Sequence, residues 1–222
     1  MEMNEEMIPH HRYTHMPGEQ HMEDSIRPSV PFLEGSSLNT YTDIIRTELD
    51  SHANMVVLGQ HCRHEDPKAP SPGEPGSRYA IVSAFSLDHK PMRVQVVDAC
   101  IGYWCPVNES TYILHFNDVL YVLSMDHNLI SPFVLREAGF LVNDVPRIRC
   151  QDVTKDSHSI ISDDGDLKIP LRLHGVFSYF PTFRPDDEHY HSGSFSEHYL
   201  MTPTGRDLNP NTITYREAEN YL

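Results

Sequence analysis

The chain is short of positive charge. Across 222 residues it carries 17 Lys and Arg against 32 Asp and Glu, a formal charge of −15. That deficit excludes a broad phosphate-binding surface, because such surfaces work by the number of cations they present. It equally excludes attraction to an anionic membrane surface. No stretch approaches the roughly 18 apolar residues that a membrane-spanning helix needs. Met1 to Pro9 is acidic and has no apolar run, so a secretory signal is not expected there. Cysteine is scarce as well. Cys62, Cys100, Cys105 and Cys150 are the four, and without a secretory route they are expected to be reduced thiols of an intracellular, cytoplasmic protein.

What is present is unevenly spread. Residues 1–37 hold seven acids, four histidines (His10, His11, His15 and His21) and four prolines, with no apolar period. Such a segment buries too little apolar surface to offset its ordering entropy. The expected organisation is a disordered tail over 1–39, a folded domain over 40–145, a β-hairpin extension over 146–181 and a mostly disordered tail over 182–222. Glu65 to Arg78, with six Pro and Gly in fourteen residues, reads as a long exposed loop.

Within the folded part the periodicity is that of strands. Ile44 to Leu49 and Met55 to Leu58 read as two strands around a turn, with Gly59 ending the second. Tyr79 to Phe85 and Met92 to Val97 read as a hairpin around the polar tip Leu87-Asp88-His89-Lys90-Pro91. Thr111 to Leu114 and Val119 to Leu123 carry the strongest β signal and read as two strands separated by Asn117-Asp118. Asn128 is a candidate N-cap for one short helix over about 131–138, with Pro132 in its first turn and Gly139 after its end. Asp152 to Asp166 holds five aspartates and reads as a solvated loop. Ile169 to Leu173 and Val176 to Phe180 read as a hairpin around His174-Gly175. A weak helix is expected at Tyr215 to Tyr221.

The segment Leu49-Asp50-Ser51-His52-Ala53 stands out chemically. An acid that ends an apolar strand needs compensation for its burial. A second carboxylate sharing one proton supplies it, because two close carboxylates cannot both ionise. A local Asp-Ser-His triad is excluded by geometry: in extended chain Asp50 and His52 share one face and Ser51 points to the other. Asp50, His52, His61, Cys62 and His64 are also all metal-ligand types, though in no defensible spacing.

Leu49-Asp50-Ser51-His52-Ala53 resembles the Asp-Ser/Thr-Gly-Ala motif of retropepsin-like aspartic proteases. Phe116 to Leu123, and Asn128-Leu129-Ile130-Ser131 through Glu137-Ala138-Gly139-Phe140, resemble the "VLYVP" strand and the "NLLS" helix opening that end the protease of copia-type retrotransposon polyproteins, most closely the diatom and other microbial-eukaryote versions. The resemblance spans about residues 44–143. It implies a mainly β, retropepsin-like closed barrel with a flap hairpin and one short helix, flanked by disordered tails. It further implies an aspartic endopeptidase that needs no cofactor and no metal, works as a homodimer on an extended peptide or polyprotein substrate, and binds neither nucleic acid nor membrane. Asp50 matches the catalytic aspartate. Ser51 matches the hydroxyl residue that buttresses the aspartate loops, Ala53 the small residue after the turn, and Leu87, Asp88 and His89 the flap tip. His52 departs from the family's glycine, whose amide supports the carboxylate, and Leu123 replaces a proline. No zinc knuckle or integrase signature accompanies the motifs. The alternatives are an inactive or domesticated β domain with a binding role, and a His/Cys metal-binding module.

Overall fold

The computed structural model describes residues 44–65, 74–82, 90–191 and 196–204. The expected tail over 1–39, the flap tip at Leu87-Asp88-His89, most of the proline-rich loop and the helix expected at Tyr215 to Tyr221 lie outside the described residues. In chain order the strands are β1 (Ile45–Leu49), β2 (Val57–Leu58), β3 (Arg63–His64), β4 (Arg78–Val82), β5 (Met92–Trp104), β6 (Thr111–Tyr121) and β7 (Asn128–Ile130). Helix α1 (Pro132–Glu137) comes next. It is followed by β8 (Leu141–Asn143), β9 (Ser159–Ile161), β10 (Lys168–Pro170), β11 (Arg172–His174), β12 (Phe177–Thr182), α2 (Asp187–His191) and β13 (Ser196–Leu200).

The protein is mainly β, as the alternating pattern predicts. The antiparallel pair β5–β6 is its spine. Each of these long strands shares its second edge among short segments. Strand β5 pairs with β4 and then β3, and its Gly102 bridges Phe183 through two backbone hydrogen bonds of 2.8 and 2.9 Å. Strand β6 pairs in parallel with β13 at one end and β2 at the other. A Cβ on Gly102 would lie 2.4 Å from the Phe183 ring, so the glycine leaves room for that ring at the crossing. The path of pairing runs β11-β12-β1-β7-β2-β6-β5-β3. Among the described residues it does not close into a barrel: its end strands are β11, exposed throughout, and the two-residue β3, and they do not pair with each other. A second sheet, β10-β9-β8, stands apart.

Four expectations are corrected. The two strands expected around Asn117-Asp118 are one strand, β6, carrying a β-bulge, because both halves pair in succession with β5. Asn117 and Asp118 oppose the single residue Asp98. Asp118 takes φ 55° and donates its N–H to Asp98 Oδ1 at 2.8 Å, and Arg78 pairs with both carboxylates. The aspartate-rich stretch is not all solvated loop. It contains β9, whose Ile160 is fully buried beside buried His158 and Ser159. The residues after 181 are not wholly a tail: Phe183 and Met201 are buried and β13 extends the main sheet, because Tyr199 and Met201 supply apolar surface to the core. The hairpin expected around His174-Gly175 is present as β11–β12, but 146–181 is not a separate extension, since β12 also pairs with β1 and β9 with β8.

The expected helix is present. Ser131 occupies its N-cap position without a side-chain capping hydrogen bond, and Pro132 stands at the first helical position; Asn128, the expected N-cap, belongs to β7. Its end is a Schellman closure, with Phe140 N–H to Leu135 O and Gly139 N–H to Arg136 O, both 3.0 Å, and Gly139 at φ 91°.

Asn128 is fully buried and spans two neighbours of β7. Its Oδ1 accepts from Gly59 N–H (2.9 Å), and its Nδ2 donates to Thr47 Oγ1 (3.0 Å). Thr47 Oγ1 continues to Thr182 Oγ1 on β12 at 2.7 Å. A Cβ on Gly59 would meet the Met125 carbonyl at 2.4 Å, so the chain passes here only as glycine. Replacing Asn128 by Ala strands buried polar groups at both ends, and should lower the unfolding free energy by about 2–4 kcal/mol in urea titrations.

His158, buried and at φ 55°, is hydrogen-bonded through Nε2 to Ser178 Oγ at 2.9 Å. Burial, then the nearby Arg147, lowers its pKa below 6.5. Below pH about 6.5 the unfolded chain therefore binds the proton that the folded chain refuses, and stability falls as pH falls. Thermal melts between pH 7 and 5 should show that decline, and His158→Gln should flatten it.

Candidate active site

Strand β1 lies parallel to β7, with Thr47, Glu48 and Leu49 opposite Asn128, Leu129 and Ile130. The ladder runs one residue past the strand: Asp50 donates its N–H to Ile130 O at 3.0 Å. The chain then turns. The Asp50 carbonyl accepts from Ala53 N–H at 3.3 Å, and Asp50 Oδ1 accepts from His52 N–H at 2.9 Å. An Asp whose carboxylate takes the amide two residues on builds its own turn and fixes its χ angles. The carboxylate is thereby aimed at the surface, its side chain 35% exposed. Ser51 is exposed, with Oγ 3.5 Å from His52 Nδ1, and Ala53 is half-buried.

The His52 side chain is 96% exposed, with Nδ1 3.8 Å from Asp50 Oδ1. Among the described non-glycine residues, positive φ occurs at Glu109, Asp118 and His158 but not at His52. The turn therefore does not need glycine's backbone freedom here. The amide contact that the resemblance assigns to glycine is made by the histidine backbone.

The two strands of the expected flap hairpin are paired: β4 runs antiparallel to β5 from Arg78–Val96 to Val82–Met92. Arg93 stacks its guanidinium 3.8 Å over the Tyr79 ring.

The metal alternative drawn from Asp50, His52, His61, Cys62 and His64 is not assembled. Cys62 is buried, its thiol pushed up to about 11 by burial, and His64 packs edge-on against Tyr121. The ligand types that do converge among the described residues are Glu65, Cys100 and His115, with donor atoms within 4.8 Å of one another. His115 Nδ1 pairs with the Glu65 carboxylate, and its Nε2 lies 2.7 Å from His198 Nδ1. Sequence spacing hides this group, since Glu65 and His115 are 50 positions apart. The one available signal is that Cys100 and His115 sit in strands whose pairing makes them direct neighbours.

Compared with known proteins, the chain matches no protein-family model, no curated protein and no solved structure. Among the described residues no helix is long and apolar enough to cross a membrane.

The thiols offer a check on this packing. Cys62, Cys100 and Cys105 are buried and Cys150 is partly exposed, while burial pushes Cys100 up to about 12. A thiol-reactive disulfide reagent at pH 8 should label Cys150 in the native chain at least about 100-fold faster than the other three, and all four at similar rates after denaturation.

Proposed function

We propose that the chain is an aspartic endopeptidase of retropepsin-like type, derived from a copia-type retrotransposon, in which two copies each contribute Asp50 to a shared dyad. The supporting observation is the parallel β1–β7 pairing. It sets side by side the two sequence segments that carry the resemblance, eighty residues apart, and hydrogen-bonds one to the other at Asp50 N–H and Ile130 O. The retropepsin-like reading of the β fold, with the β4–β5 hairpin as the base of a flap, belongs to the same proposal.

The chemistry follows from charge. The sequence holds one Asp-Ser/Thr-x-Ala motif, at Asp50 to Ala53, so a two-fold partner supplies the other aspartate. Two carboxyls within hydrogen-bond reach share one proton. The ionised one takes a proton from a water held between them, and the protonated one donates to the carbonyl oxygen of the scissile peptide. The resulting diol collapses as the amine leaves with a proton. Neither a cofactor nor a covalent intermediate enters. An extended peptide would lie between hairpin and dyad, held in part by strand addition. Ser51, exposed in the single chain, would meet its counterpart across the two-fold axis. Residence in the cytoplasm belongs to this reading.

A second reading, a non-catalytic dimer or binding domain, is favoured by one observation. The His52 imidazole is exposed beside Asp50, where the family pattern has no side chain and where two loops would approach.

The test is cleavage of a fluorogenic peptide library at acid pH by the full chain. Asp50→Asn should reduce the rate by about 10³-fold or more with an unchanged circular dichroism spectrum. His52→Gly should raise the rate if the imidazole crowds the dyad. Activity should fall as the dyad becomes doubly ionised at rising pH. An Asp50→Asn chain that cleaves like the parent, or an active monomer in sedimentation analysis, overturns the proposal. A dimer inert in both the parent and the His52→Gly form establishes the second reading.

A further inference from the structure

We propose that Glu65, Cys100 and His115 form a binding site for one divalent transition-metal ion, with zinc as the fitting ion, independent of the aspartate turn. Two adjacent strands, β5 and β6, and the residue that follows β3 supply one donor each. Cys100 on β5 and His115 on β6 are direct cross-strand partners, so their side chains leave the same face of the sheet. Arg63 of β3 pairs with Cys100 from the other side. Glu65, two residues on, is anchored by its N–H to Asp98 O at 3.0 Å. The donor atoms already lie within 4.8 Å of one another. A tetrahedral zinc ion holds its donors about 3.5 Å apart, so side-chain shifts of about an ångström complete the site.

The surroundings are those of a ligand set. When His115 turns Nδ1 toward the ion, its Nε2–H is left to donate to His198 Nδ1, 2.7 Å away. A second hydrogen bond of this kind fixes ring and tautomer in metal sites. Tyr190 of α2 lies close to both imidazoles, at 6.0 and 5.8 Å between ring centroids. Arg63, a cation that acts on the Cys100 thiol, is engaged by Asp187 at 2.7 Å and by the Tyr190 ring at 4.7 Å.

The donor chemistry selects the ion. A thiolate and an imidazole favour zinc or a similar borderline metal over calcium or magnesium. Charge closes as well: a thiolate and a carboxylate balance a divalent cation. Binding releases the Cys100 thiol proton to solvent and changes no oxidation state. Three protein donors leave the fourth position to water. Occupancy would clamp β3 and β6 to β5.

Cobalt is the probe, since its sulfur-to-metal charge-transfer band reports a thiolate ligand, and the histidines of residues 1–37 cannot produce it. Titrating Co²⁺ into the reduced, metal-free full chain should give that band with tetrahedral ligand-field bands, saturating at one ion per chain and displaced by Zn²⁺. Cys100→Ser should abolish the band while Cys62→Ser keeps it. Glu65→Gln and His198→Ala should each weaken affinity about 10-fold or more. Absence of a sulfur band in the parent overturns the proposal, as does a band that survives Cys100→Ser. Should Cys100→Ser not fold, the partly exposed Glu65 decides: unchanged cobalt affinity in Glu65→Gln overturns the site. Because the readout is spectroscopic, its failure is separate from failure of the protease reading.

Discussion

The Asn128 amide holds together the strands on which the candidate active site depends. β7 is three residues long and has one neighbour in parallel and one antiparallel, too little ladder to define a register alone. The buried amide defines it chemically. It has one acceptor and one donor to place, and it places them on Gly59 N–H and Thr47 Oγ1. A slip of one residue would leave both unsatisfied in the core and turn Ile130 away from it. With Asn128 fixed, Ile130 O is fixed, and with it the amide of Asp50. The position of the candidate catalytic carboxylate is thus inherited from a hydrogen bond made two residues earlier on the neighbouring strand.

The turn itself then needs little. Asp50 Oδ1 takes the amide of residue 52 whatever side chain that residue bears, and the backbone at His52 stays out of the left-handed region. A glycine at this position would therefore serve close approach of two chains rather than the conformation of one. Under the dimeric proposal the histidine then bears on crowding between chains rather than on folding, its imidazole lying 3.8 Å from the Asp50 carboxylate.

Much of this architecture was legible in the sequence, for reasons that particular residues show. Pro132 and Gly139 bracket α1 because one lacks an N–H and the other tolerates φ 91°. Strands β4 and β5 and the acid at the end of β1 follow from local alternation. What escaped was non-local. Asn117-Asp118 has turn chemistry but sits in a bulge, because β5 pairs across it and Arg78 offsets the two carboxylates. Ser159-Ile160-Ile161 is too short a run among aspartates to signal a strand, and β13 holds its place through parallel pairing with a strand more than eighty residues earlier. The Glu65, Cys100 and His115 group is legible only once β3, β5 and β6 are laid in register.

The central claim, that two chains place their Asp50 carboxylates in one dyad, is tested most directly by a crystal structure of the dimer grown at acid pH with a statine-containing peptide. The account predicts the two Asp50 carboxylates within hydrogen-bond distance across a two-fold axis, with the statine hydroxyl between them. Dimers in which the two carboxylates lie more than about 10 Å apart, each facing solvent with no peptide beside it, would contradict it.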